Sequence, residues 1–306
     1  MPRAVAMIFL AVASASAWAS SNKSPSVWWE DSTEEYVFKT DLTKSKGGKF
    51  IKDAMRLMAA MRKSYESYIP PEKKIGRCTV KVFKTLDSYR AYRRSTGEND
   101  EMSSGLWDPN REELLISAED KEQAQRTMRH EAFHQYLHYA TGRGDHAIWF
   151  NEGHACLFEE VRYDAAKNTV KLIENHVRSK WVEKCPEQIA ARLRPILLMS
   201  QGEYYSGDVN LNYVSGWALV YFLERGSYAC DDFKVYRDVV PRYLAAMKRG
   251  EDPNKATAYA FAAVASAERD MEKDFMRFWT KYRKLAANAR EKTKSKEQNE
   301  IKEAKK

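Results

Sequence analysis

No Cys-x-x-Cys and no other close cysteine pair occurs in this 306-residue chain. That excludes a thiolate-rich metal knuckle and a redox dithiol. Cys78, Cys156, Cys185 and Cys230 stand far apart and allow one or two disulfides among three pairings. Cys156, one helical turn after Glu152, reads equally well as a buried thiol. Long apolar runs are lacking too. The run Val5 to Ala13 is far shorter than the roughly 20 residues that cross a bilayer, so no transmembrane anchor is expected after processing. No internal repeat is evident.

A basic field is also missing, despite the formal net charge of +8. Residues 281–306 hold ten Lys/Arg and four Glu, and Arg3 accounts for one further charge. Residues 20–280 are left with about +1, too little to track a phosphate backbone, so nucleic acid is not an expected partner.

What is present begins with an export signal over residues 1–19. Arg3 precedes the apolar run, and Ala17-Trp18-Ala19 forms a small-x-small cleavage site before Ser20. The processed chain is expected to be periplasmic or extracellular. Residues 289–306, mostly Lys, Glu, Asn and Gln, read as a charged disordered tail.

Between these ends the patterns predict an α+β fold. Residues 20–119 mix periods. An amphipathic helix spans Lys49 to Tyr68 and stops at Ile69-Pro70-Pro71. A half-buried strand runs from Cys78 to Phe83, and Asp87 caps a short helix through Arg94. Leu106-Trp107 and Leu114-Leu115-Ile116 flank a turn, as in a hairpin. Residues 120–288 read as helices over 121–140, 151–163, 170–182, 187–199, 214–225, 232–248 and 254–288, the last open to a break.

The chemistry is concentrated in His130-Glu131-Ala132-Phe133-His134. A spacing of four puts both histidines on one helical face. Their imidazoles can converge on a single Zn²⁺ while Glu131 reaches a water beside it. A third ligand is then required. Glu152, separated from His134 by seventeen residues and in the first turn of a second helix, can face back toward the metal across a helix pair. Two imidazoles and one carboxylate leave an open corner for water, and Glu131 is placed to take its proton and deliver it to a leaving amine. The competing structural interpretation is a core histidine pair with surface glutamates. His138 lies about 12 Å along the axis from His130. With His146, His154 and His176, it is assigned a structural or exposed place.

These residues resemble the gluzincin metallopeptidases, whose His-Glu-x-x-His helix is completed by a downstream Glu. Closer still, the chain is similar to bacterial exported proteins of the peptidase-MA-like domain of unknown function 1570. Their HExxHQ helix matches His130 to Gln135, and their W-x-x-E-G-x-A segment matches Trp149 to Ala155. A later Tyr-x-x-small-Trp-Ala-Leu-x-x-Phe-Leu segment matches Tyr213 to Leu223 less exactly. The resemblance spans roughly residues 35–285. It implies a thermolysin-like architecture, a small mixed α/β upper subdomain over a mainly helical lower one. It implies one Zn²⁺ on His130, His134 and Glu152, Glu131 as base, and Tyr213 donating to the oxyanion. The implied substrate is a peptide or protein paired to an edge strand near Met102 to Trp107.

The match has a gap. Thermolysin carries an Asp four residues after its ligand Glu to orient a histidine, whereas this chain has Cys156 there. Glu159 is the candidate replacement. Two other interpretations fit the same residues: a weak or inactive relative that binds peptide or cell-wall material in the same cleft, and a zinc-stabilised scaffold.

Overall fold

A computed structural model describes residues 28–97, 103–142 and 145–285. The expected export signal, Met102 and the charged tail lie outside the described residues. The architecture is mixed, with many helices and two small sheets. Chain contacts divide it into two units. One runs up to residue 143 and includes Val161–Lys171; the other holds residues 144–160 and those from Leu172 onward.

The first unit is built on a five-stranded sheet. Its strands are β1 (Trp29–Ser32), β2 (Tyr36–Thr40), β3 (Cys78–Phe83), β4 (Gly105–Asp108) and β5 (Glu113–Ser117), in the order β1-β2-β3-β5-β4. β2, β3 and β5 are parallel, while β1 and β4 pair antiparallel at the edges. Parallel neighbours need crossover connections. Helix α1 (Lys44–Tyr68) and helix α2 (Leu86–Ser95) supply them. α1 starts five residues before the helix read from its apolar stripe. Thr85, rather than Asp87, caps α2 by accepting from the Ser88 N–H.

The stripe of α1 explains its place. Phe50, Ile51, Ala54, Met55, Met58, Met61 and Tyr65 are buried, each large one contributing about 1.5–3 kcal/mol of transfer free energy. The same face buries Arg62, whose guanidinium donates to Cys78 Sγ at 3.1 Å and lies 5.1 Å from the Tyr36 ring centroid. Burial pushes the Tyr36 phenol up to about 12, against the pull of Arg62.

Helix α3 (Lys121–Ala140) begins at Asp120, whose carboxylate accepts from the N–H groups of Glu122 and Gln123. By its contacts α3 groups with the sheet, although its pattern resembles that of the helices after it. Tyr65 donates to Arg129 O at 2.9 Å and Tyr136 to Ile69 O at 2.5 Å, which bolts α3 to α1. Gly105 sets the approach of β4. A Cβ there would lie 2.2 Å from Thr127 Cγ2 on α3, so only glycine fits.

Residues 159–172 differ from the helices read over 151–163 and 170–182. Helix α4 (Ile148–Phe158) starts earlier and ends sooner, and β6 (Val161–Asp164) pairs with β7 (Thr169–Leu172). The turn between them explains the difference: Asp164 accepts from the N–H groups of Ala166 and Lys167, and Asn168 has φ +49°. Asparagine tolerates that left-handed geometry better than most residues.

The second unit is helical. Its core is α4 against α8 (Val209–Glu224), reached through α5 (His176–Lys184), α6 (Pro186–Arg192) and the short α7 (Gln201–Tyr204). Helices α9 (Val239–Lys248), α10 (Pro253–Ser266) and α11 (Met271–Arg277) follow, the last running into a π turn over Phe278–Tyr282. The segment read over 254–288, left open to a break, is divided between α10 and α11. Asp270 caps α11 by accepting from the Lys273 N–H.

All four cysteines carry free thiols, with Cys78 and Cys156 buried. The disulfides that export would allow do not occur. Among the described residues no helix is long and apolar enough to cross a membrane.

Candidate metal centre

His130 and His134 sit one turn apart on α3 with ring centroids 4.8 Å from one another. Glu131 faces β4. Its Oε2 accepts the backbone N–H of Trp107 at 2.9 Å. Trp107 stands opposite Leu114 in the β4–β5 register, and its N–H is engaged by Glu131 at the sheet edge. The Trp107 ring is buried, packing on His138 at 5.5 Å and Tyr139 at 5.9 Å.

Glu152 lies on α4, whose position in the second unit is set by glycine. A Cβ on Gly153 would meet Gly216 O of α8 at 2.6 Å and Val220 Cγ2 at 2.5 Å. The two backbones touch at Gly153 and Gly216. Trp149 Nε1 donates to Thr257 Oγ1 at 3.0 Å and the Ala147 N–H to Tyr243 Oη at 2.8 Å, which fixes the start of α4. Glu152 itself is wholly buried, and its Oε1 accepts from the Tyr205 hydroxyl at 2.7 Å. Burial, then the adjacent Glu152 carboxylate, holds that phenol well above its usual range, so it stays a donor.

Ligand atoms of His130, His134 and Glu152 all lie within 4.8 Å of one another. A second set, His130, Cys156 and Glu159, meets the same limit. The chemistry of the donors separates them. Both Glu159 oxygens are already engaged: Oε1 accepts from an Arg178 terminal nitrogen at 2.5 Å, and Oε2 from Arg178 Nε at 3.1 Å and Asn175 Nδ2 at 2.8 Å. A carboxylate neutralised by a buried guanidinium is a poor ligand. Two imidazoles and one carboxylate suit Zn²⁺. The residues therefore fit a metal ion at the first set.

Tyr213, on α8, is buried with its ring 5.2 Å from Tyr204 and 6.3 Å from Tyr205, and the Arg178 guanidinium lies 5.6 Å from its centroid. The remaining histidines are structural or exposed. His146 stacks on Phe150, and His154 Nδ1 lies 2.7 Å from Phe150 O. The His176 side chain is 65% exposed, 4.0 Å from Glu160.

No family model matches the chain, and no curated protein matches it in sequence. The chain's own geometry therefore carries the functional argument. It supports a candidate metal-binding site in a mixed α/β protein. Tyr205 escaped the sequence reading. Nothing in its spacing marks it among the many tyrosines, and its only signal is the general rule that a buried carboxylate recruits a donor.

Proposed function

We propose that this protein is an exported zinc-dependent metallopeptidase of gluzincin type with a thermolysin-like architecture. The observation that carries the proposal is the mutual approach, within 4.8 Å, of one donor atom each from His130, His134 and Glu152. Glu131 is next to the first of them on the same helix.

His130, His134 and Glu152 would hold the ion. When bound, Zn²⁺ supplies a Lewis acid that polarises a carbonyl and acidifies water. The remaining work belongs to the chain. Glu131 accepts a proton from the water that attacks the peptide carbonyl, then returns it to the departing amine. The Trp107 N–H keeps the Glu131 carboxylate turned one way, so its other oxygen is the base. Tyr213 donates its hydroxyl to the oxygen that gains charge. β4 is an edge strand, and an extended peptide can pair with it by backbone hydrogen bonds.

One observation favours a second reading, a weak or inactive relative that binds peptide or wall material. His130 and Glu152 are wholly buried, and His134 keeps only 5% of its surface. The test is a metal analysis of the purified chain with a peptide-library digest of the wild type. One zinc per chain with cleavage supports the peptidase. One zinc without cleavage leaves the binding role, and no zinc overturns the peptidase.

A further inference from the structure

We infer that Tyr205 is a positioning residue for the carboxylate ligand, holding Glu152 Oε1 so that Oε2 alone serves the ion. The inference rests on the metal-centre proposal above and adds a residue to it. In the Tyr205–Glu152 pair the phenol must donate, because an ionised carboxylate only accepts. The oxygen it engages is thereby turned away from a bidentate role.

The phenol is itself held. Ser200 and Glu203 close a reciprocal cap on α7, and the Tyr205 N–H donates to Gln201 O at 3.0 Å. Asn212 Nδ2, on α8, donates to Tyr204 O at 2.7 Å, and Arg192 Nε in turn donates to Asn212 Oδ1 at 2.8 Å. The Tyr204 ring meets Tyr205 edge-on at 5.3 Å. Backbone and ring contacts therefore fix the hydroxyl before any metal arrives. A preorganised outer partner of this kind typically changes metal affinity about 10–100-fold.

The two tyrosines are then separable. Tyr205 acts on the ligand, whereas Tyr213 acts on the reacting oxygen. The experiment titrates the full chain with Zn²⁺ against a competing chelator and records the visible spectrum of the Co²⁺-loaded protein. Tyr205→Phe is expected to weaken zinc binding about tenfold or more and to lower the cobalt absorption as Glu152 turns bidentate. Tyr205→His, which restores an N–H donor, should recover part of both. Tyr213→Phe should leave both unchanged while lowering turnover.

Unaltered affinity and spectrum in a folded Tyr205→Phe chain overturn the inference. If Tyr205→Phe does not fold, Tyr205→His takes its place: partly weakened zinc binding with a reduced cobalt absorption upholds it, and wild-type affinity and spectrum overturn it. A wild-type chain that binds neither ion overturns the metal centre itself, and is distinguished by failing before any substitution is made.

Discussion

α3 and α4 each present part of the candidate centre, and they are held by different means. On α3, the carboxylate of Glu131 is anchored by a main-chain donor, the N–H of Trp107. On α4, the carboxylate of Glu152 is anchored by a side-chain donor, the Tyr205 hydroxyl. A main-chain donor survives almost any substitution at its own position, whereas a side-chain donor disappears with one. The helices differ in packing too. α3 meets the sheet across Gly105 and Thr127, whereas α4 meets α8 glycine to glycine. The α3 residues are therefore protected by the backbone, and the α4 residues depend on their neighbours.

The strongest test of that contrast is Glu131→Gln. On the peptidase proposal it keeps the metal and costs about 10²–10⁴-fold in kcat/KM, read by peptide cleavage beside a zinc assay. Unchanged turnover would remove Glu131 from the chemistry. Next in size is Arg178→Ala in the second unit. It strips the buried Glu159 of its cation, and breaking a buried pair costs about 3–5 kcal/mol. Urea unfolding should show that loss, and a change below about 1 kcal/mol would mean that water replaces the guanidinium.

The main-chain anchor is tested by a pair of substitutions. Trp107→Ala removes the ring and keeps the N–H, while Trp107→Pro removes both. Proline is tolerated on an edge strand where the N–H is outside the ladder. A hydrogen bond to a charged group is worth about 1.5–3 kcal/mol. Trp107→Pro should therefore fall at least about tenfold below Trp107→Ala in kcat/KM. Equal rates would make the anchor incidental.

The smallest effects compare glycines. Gly153→Ala should destabilise by about 1–3 kcal/mol, because the added Cβ meets backbone. Gly48→Ala on α1, where nothing lies within 4 Å, should stabilise by about 0.5–1 kcal/mol. Thermal melts of the two variants should move in opposite directions.

Legibility from sequence followed the range of the interactions. α3 and β3 occupy the spans read from their patterns, 121–140 and 78–83, because each carries its signal locally: a cap and a helical stripe in one, alternation in the other. β6 and β7 were misread as helix. Val161-Arg162-Tyr163 and Thr169-Val170-Lys171 are too short for their period to outweigh the helical segments around them. β1 and β2 went unassigned because each is only four or five residues long, and the parallel partner of β2, β3, lies beyond α1. The free state of all four thiols was equally illegible, since spacing leaves every pairing open.

Helical periodicity alone was enough to put His130 and His134 on one face with Glu131 beside them, because a turn of α-helix has the same geometry wherever it occurs. It could also nominate Glu152. It could not bring a Glu152 oxygen within 4.8 Å of the two imidazoles, nor place the hydroxyl of Tyr205, fifty-three residues away, on that carboxylate. Those are contacts between distant segments, set by how glycine-lined helices and capped turns pack, and no local pattern encodes them.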